Sequence, residues 1–598
     1  MLDGTFVPAA AAASVLIASR VGGPRAALAF TFLVLWCALH ELGGRIGSDG
    51  AVLFSYLRSS VLEGRIPDTR FEAGPLLFWL PFYLVTHALV KIASSLGGSI
   101  PPDGASYPYV QAVCLASLFW AFAGVLLSVA IARRGFGETL ASAGAVVLWL
   151  ASPLLWYTLY EPSMPHAVAL AAVSLFLACW LRARDHGGWL RWGAVGLMAG
   201  LMLSVQRYEV FYLLLPMLSA LSRARDLMRD HTRARVQNAF ASSGAFLAAF
   251  IVGIAPLWIV QLASRGSVVD PGEARLAVWL WSGGSLVELL FSSKHGLFSW
   301  SPAVYLAVLG LLSRLGRRDP LASRFLLTLL LGMALLATRW DEGESFGSRR
   351  FTEAFPLLLF GFCGFLDWAR RSPRALTAFV CAALIVANLL LADLVRRGEV
   401  PKTTTFSFSD AAARGMTRLY GAVGHPSAAP ASWWFALRYG VRPDRFDTIW
   451  GSRRYHDWSI DVGSEADRPH LGRGWSQSEK TSDGKWFRWS DGESSSLFLQ
   501  LFEPYRYRLR LEGAAAKAPD GGPQTVHLEV NGAGAGVLRF GAQRGADEML
   551  VPAEYWRAGL NEIVFRYRYR VRAGEVYGGN DPREIALRLE RVALTISR

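Results

Sequence analysis

Cysteine is scarce in this chain. Five occur among 598 residues (Cys37, Cys114, Cys179, Cys363 and Cys381), each inside an apolar run. None follows Cys381, which excludes a disulfide framework or a zinc motif from the C-terminal region. The five read as small buried core residues. Acidic residues are the minority charge: 47 Asp and Glu stand against 61 Lys and Arg, a formal net charge of +14. Such a surplus raises nucleic-acid binding, but the basic residues gather in short loops between apolar runs, the pattern of cytoplasmic loops, so no nucleic-acid partner is expected. A Walker-type phosphate loop is missing, which leaves ATP-driven transport without support. Charged residues are also missing from the middles of the apolar runs, and no internal repeat is visible. A transporter carries the first and often the second.

What is present is apolar sequence. Hydrophobic residues make up 52% of the chain, and the mean hydropathy is +0.29. Apolar runs lie near residues 26–42, 75–97, 109–131, 139–158, 166–182, 191–205, 208–221, 239–263, 301–313, 325–338, 355–366 and 375–393. Many approach the roughly 20 residues that cross a bilayer. The basic loops Arg133-Arg134, Arg182–Arg191, Arg223–Arg235, Arg314–Arg324 and Arg370–Arg374 are expected to be cytoplasmic. The loops between them then face outward. This alternation works only if 75–97, with Pro75, Pro81, His87 and Lys91, is a re-entrant or membrane-surface helix pair inside one long outer loop, 43–111. Eleven core spans then leave the C-terminus outside, with Arg396-Arg397 on the outer face against the rule. The Ala-rich run Phe6–Ser19 has no basic residue before it, so a surface helix or an extra span is expected there rather than a cleaved signal.

The first core run is followed by "GSDGAVLFSYLRSSVLEG", Gly47–Gly64. Val52, Leu53, Tyr56, Leu57 and Val61 recur at helical spacing, which predicts an amphipathic helix on the membrane. Asp49 opens it. One reading of Asp49 is a helix cap, since a carboxylate there accepts from unpaired N–H groups. The other is a general base at the membrane surface.

This layout, with a second acidic and proline-containing stretch "GRIPDTRFEAGP" and the 75–97 run behind it, resembles the GT-C superfamily of integral-membrane glycosyltransferases. That superfamily includes the protein O-mannosyltransferases and the aminoarabinose transferases of lipid A. The resemblance covers about 26–395. It implies a polyprenyl-phosphate-linked sugar as donor and an acidic catalytic base in the first outer loop, which here is Asp49. The family often has paired Asp-Glu at this point, whereas Gly50 follows Asp49; its mannosyltransferases carry His-Pro-Pro where this chain has "RFEAGPLLFW". Sugar and acceptor (glycan, lipid or protein) stay open.

Other outer polar residues are candidates for substrate binding. Asp68 and Glu72 either form a turn or orient the acceptor, and carboxylates without histidine suit a hard divalent ion, a candidate cofactor. Glu161 and His166, in "YEPSMPH", sit at a proline-broken helix end. Arg207 and Glu209, in "QRYE", lie between two spans with hardly any loop, so their charges either snorkel or point inward, and Arg207 suits a phosphate contact. Lys294 and His295 precede a span. "TRWDEGESFGSRRF" is the densest polar loop, with Asp341, Arg349 and Arg350; the arginine pair suits bidentate grip on a phosphate. A solvated loop is the plainer reading.

Three parts are expected: a membrane domain over 1–398, a linker over 399–473, and an all-β sandwich or jelly roll over 474–598. "SLFLQLF", "YRYRLRLEG", "VHLEVNG", "IVFRYRYRV" and "IALRLERVALTIS" alternate as strands do and predict seven to nine of them. Trp475, Trp486 and Trp489 are either core or sugar-stacking. The Ala-, Arg- and Gly-rich composition points to a bacterial inner membrane facing a periplasm. The expected function is transfer of a sugar to an outward-facing hydroxyl. The alternatives are a lipid-linked sugar transporter and an envelope polysaccharide polymerase or ligase.

Overall fold

The computed structural model describes residues 23–42, 45–47, 49–65, 72–229, 232–267, 285–337, 343–518 and 521–597. The run Phe6–Ser19, Asp68 and Asp341 lie outside them. The chain divides into two compact units, Met1–Gly415 and Met416–Arg598.

The first unit is a helical bundle. Its helices are α1 (Gly23–Glu41), α2 (Asp49–Leu62), α3 (Gly74–Ser95), α4 (Tyr107–Ala132), α5 (Glu138–Leu150), α6 (Leu154–Leu159), α7 (His166–His186), α8 (Trp189–Val205), α9 (Leu214–Arg229), α10 (Arg233–Arg265), α11 (Leu286–Phe291), α12 (Leu297–Trp300), α13 (Ala303–Leu315), α14 (Pro320–Leu336), α15 (Phe355–Ala369) and α16 (Arg374–Arg396). A 3-10 turn, Arg207–Leu213, joins α8 to α9. Among the described residues α3, α4, α7, most of α10 and α16 are long and apolar enough to cross a membrane. Their outer faces agree. Val85 and Leu89 of α3, Leu247 and Val252 of α10, and Phe379 of α16 are exposed, an arrangement that suits lipid and not water.

Two readings of the runs change. Residues 75–97 form one continuous helix, α3, with Pro81 inside it, rather than a helix pair; the run is apolar enough to carry the helix through the proline. The run 139–158 breaks into α5 and α6 at Ser152-Pro153.

Small residues set the closest helix contacts. A Cβ at Gly196 or Gly200 of α8 would lie 2.0 Å from the Phe246 carbonyl oxygen or 2.4 Å from that of Phe250 in α10, and one at Gly253 would lie 2.2 Å from Leu197 O. The two backbones touch, as small residues allow in membrane helices.

In the second unit α17 (Phe408–Val423), which begins before the division, leads to α18 (Ala431–Tyr439) and α19 (Arg445–Trp450), where a linker was expected. Among the described residues twelve strands follow: β1 (Trp458–Asp461), β2 (Glu479–Lys480), β3 (Trp486–Trp489), β4 (Ser494–Leu501), β5 (Tyr507–Ala515), β6 (Gln524–Val530), β7 (Ala533–Phe540), β8 (Gly545–Val551), β9 (Gly559–Tyr567), β10 (Val571–Arg572), β11 (Glu584–Ile585) and β12 (Leu587–Ile596). One sheet runs β4-β9-β6-β7. The other runs β2-β3-β12-β5-β8, with β1 also on β12. All named strand pairs are antiparallel. The sheets share a core in which Leu497 and Leu499 join Leu509, Leu511, Leu587 and Leu589. The extra strands have reasons. Five strands are only two to four residues long. Another, β7, begins inside "NGAG", where only Asn531 and Gly532 form the turn, both at positive φ, as a tight hairpin requires. Trp475 is a core residue, its indole N–H donating to Ser496 O at 2.8 Å. Trp489 packs on Tyr577. Trp486 is 42% exposed under the Lys480 ammonium.

Candidate active site

The turn between α6 and α7, Glu161–His166, is the hub of the candidate site. Asp49 is the first residue of α2, where the helix dipole favours a carboxylate. The start of α2 is pressed on this turn: a Cβ at Gly50 would meet Ser163 Oγ at 2.3 Å, and the Gly47 N–H donates to the same oxygen at 3.4 Å. Glycine at position 50 is therefore sterically required. Opposite lies Arg349, whose Nη1 is 3.4 Å from Asp49 Oδ2, with side-chain exposures of 15% and 31%. Carboxylate and guanidinium remain within reach of a ligand.

A second pair stands at the start of α3. The Arg207 Nε–H donates to Glu72 Oε1 at 2.8 Å. The close approach of Gly74 to the Ser204 carbonyl, where a Cβ would lie 2.3 Å away, brings these elements together.

Beneath them is a buried network. His166 Nδ1 donates to Glu353 Oε1 at 2.8 Å, and the Tyr208 hydroxyl donates to the same oxygen at 2.8 Å. Tyr212 donates to the Glu353 backbone carbonyl at 3.2 Å. Glu353 is fully buried, so α7 and the 3-10 turn jointly fix the segment that carries Arg349 and Arg350. The Arg350 guanidinium sits 5.7 Å from the Tyr208 ring centre, in cation–π range. Glu209 is also fully buried. Neither of its carboxyl oxygens, nor Glu353 Oε2, has a hydrogen-bond partner among the described residues.

On the other side of the hub a cavity of about 480 Å³ runs from Glu41 and Arg45 past Gly47 to Trp156, Tyr160, Glu161, Arg396 and Lys402. Lys402 Nζ donates to Glu161 at 2.6 Å. His295 Nε2 donates to the Lys402 carbonyl at 2.9 Å, which ties the Lys294–His295 turn to this wall. Phe346 stacks on Trp156 at 4.7 Å, and its N–H donates to the Tyr157 hydroxyl at 3.0 Å. Gly347, at φ +63°, turns the chain where a Cβ would press on Trp300 and Pro153. Arg396, anomalous in the loop-charge pattern, lines this cavity.

The structure thus joins Asp49 to Arg349, Glu72 to Arg207, His166 to the Arg350 segment, and Glu161 to a cavity whose Lys402 is held by His295. Lys294, half-buried in its turn, is placed beside that wall. Among the described residues no group of three or more His, Cys, Asp or Glu side chains is arranged to hold a metal ion, and Glu72, a candidate ligand, is bound to Arg207. Sequence reasoning missed Glu353, Tyr208 and Lys402. A signal existed for Glu353: an acid at the mouth of the apolar run "AFPLLLFGF" marks function by default.

No protein-family model matches the chain, and no curated protein matches it. Among solved structures, the CBM36-1 domain of a multidomain xylanase from the hindgut metagenome of Trinervitermes trinervoides is similar at 12% identity and a TM-score of 0.17, over 24% of this chain and 98% of that one. CsCBM6-3 from Clostridium stercorarium, in complex with cellobiose, is similar at 12% identity and a TM-score of 0.17, over 25% and 99%. ArnT from Cupriavidus metallidurans, bound to undecaprenyl phosphate, is similar at 16% identity and a TM-score of 0.40, over 62% of this chain and 64% of that one. These likenesses are distant and partial, and this chain spans under two thirds of the ArnT structure.

Proposed function

We propose that the chain is a membrane glycosyltransferase that moves a sugar from a polyprenyl-phosphate donor to an outward-facing hydroxyl, with its β-unit on the same outer side of a bacterial inner membrane. The observation that carries this reading is the pairing of Asp49 with Arg349 at 3.4 Å. It supports the reading because a carboxylate able to act as a base and a guanidinium able to bind phosphate, 300 residues apart in sequence, meet close to Gly47, which lines the cavity.

The chemistry follows from these groups. A lipid donor reaches the site through the bilayer. Its phosphate competes for Arg349, and the guanidinium exchanges carboxylate for phosphate, a bidentate partner. Asp49 is thereby unmasked. It takes the proton of the acceptor hydroxyl as that oxygen attacks the anomeric carbon. The bond from that carbon to the phosphate oxygen breaks, and polyprenyl phosphate leaves with the electron pair. Arg349 and Arg350 stabilise the charge that develops there. One displacement inverts the anomeric centre. The buried Glu353 network holds both arginines in position. Glu161, Lys402 and Trp156 line the space for sugar or acceptor.

Asp49→Asn, purified and offered a panel of radiolabelled polyprenyl-phosphate sugars, tests the reading. The expected result is that the wild type releases sugar from one donor, while the variant binds it and turns over about 10²–10⁴-fold more slowly with unchanged melting. Normal turnover by the Asn form with earlier melting would reduce Asp49 to a structural residue and overturn the assignment.

A further inference from the structure

Helices α18 and α19 have two apolar faces. One is closed: Phe435, Tyr439 and Ile449 are buried with Phe498 of β4 and Leu560 of β9. The helices are therefore fastened to the sandwich. The other is open. Trp434 is 69% exposed, Leu437 83% and Trp450 57%, and Trp433 stands beside them. Trp434 and Leu437 are three residues apart and so share a helix face. Two of the rings are held in place. The Trp433 indole N–H donates to Val423 O at 2.5 Å, and Trp450 stacks on Phe446 with centroids 6.0 Å apart. A cluster of this kind is costly to leave in water.

Its surroundings are basic on balance. Arg438, Arg442, Arg453 and Arg454 are exposed against one exposed acid of α19, Asp447, while Asp444 is already engaged by Arg442 at 2.9 Å. Tryptophan and leucine within a belt of arginine is the composition of segments that lie in the headgroup region of a bilayer, where indoles favour the interface and arginine meets anionic lipid. A bilayer is also close along the chain, because α18 begins about 35 residues after α16, a candidate span with exposed Leu376 and Phe379.

We propose that α18 and α19 form a membrane-surface foot of the β-unit: Trp434, Leu437 and Trp450 enter the headgroup layer, and Arg438, Arg453 and Arg454 contact anionic lipid. The foot anchors the β-unit through lipid as well as through its chain connection. It depends only on the membrane character of the helical unit, so it stands or falls separately from the transferase reading.

The test uses the full chain in nanodiscs of zwitterionic lipid with and without anionic lipid. Leu437→Cys carries an environment-sensitive fluorophore. Val537→Cys, on β7 and also exposed, is the reference, and the signal of the chain with only its native cysteines is subtracted from both. At position 437 we expect blue-shifted emission, quenched about twofold or more by lipid bearing a spin label near its headgroup. The effect should be stronger with anionic lipid and weakened by Arg453→Glu with Arg454→Glu. Water-like emission at 437 overturns the proposal. So does a blue shift without lipid quenching, which would mean that protein covers the face, or quenching equal to that at 537.

Discussion

Asp467 of the β-unit and Glu353 of the helical unit are both fully buried acids, and they are treated differently. Asp467 is completely satisfied. Arg488 reaches both its oxygens, at 2.7 and 3.3 Å, and the Gly463 N–H donates at 2.5 Å. Glu353 has two donors on one oxygen and no partner among the described residues on the other, and neighbouring Glu209 has no partner on either. A buried acid that serves structure alone has its hydrogen-bonding capacity filled. One with capacity left over is a candidate for a role beyond packing. The same contrast holds more widely. The β-unit keeps most of its ion pairs at the surface, as in Arg566–Glu529 and Arg508–Glu548, whereas the helical unit holds three partly buried pairs, Asp49–Arg349, Glu72–Arg207 and Glu161–Lys402, near the candidate site.

Asp467→Ala should sharpen this contrast most. Leaving Arg488 without its partner costs about 3–5 kcal/mol. The loss should appear in denaturant unfolding of the full chain, while turnover per folded molecule stays at the wild-type value. Arg349→Ala should do the opposite. Loss of a transition-state donor lowers turnover by about 10²–10³-fold with little change in unfolding, and Arg349→Lys should recover part of it. If Arg349→Ala instead unfolds the chain at wild-type turnover, the two regions are alike after all. Glu353→Gln keeps an acceptor for Tyr208 but gives up the charge. It should cost about 1 kcal/mol of stability, and turnover should fall by more than that loss of folded protein explains.

The smallest effect concerns pH. His470 is buried and donates from Nδ1 to Phe498 O at 2.9 Å. Burial, the largest cause, pushes its pKa below the ordinary 6.5. Its neutral form is the one the fold prefers, so the unfolded chain binds the extra proton. Stability is present above pH 6.5 and is lost as the pH falls from there through the folded value. His470→Gln should flatten that slope in a series of unfolding curves between pH 7 and about pH 5.

Much of the architecture could be read without coordinates, because period and length are local properties. The apolar runs became helices, and "YRYRLRLEG" became β5 with Tyr507, Leu509 and Leu511 inward. β7 was missed because its glycines read as turn. The site was legible only in pieces. Asp49 and Arg349 could each be named from residue type and position. Their pairing, like that of Glu72 with Arg207, depends on how helices pack, and no periodicity encodes that. The partners of Glu353 and Lys402 were illegible for the same reason: Tyr208 and Glu161 are 145 and 241 residues away.

The glycine contacts between α8 and α10 have a mechanical meaning. Two helices whose backbones touch at Gly196, Gly200 and Gly253 behave like a rack and pinion with one engaged tooth. A slide of one residue would push the side chains of Leu197 or Leu201 into a carbonyl. The pair therefore moves as a single lever. That lever ends at the extended Gln206 and the 3-10 turn behind it, the joint that carries Arg207, Tyr208 and Glu209.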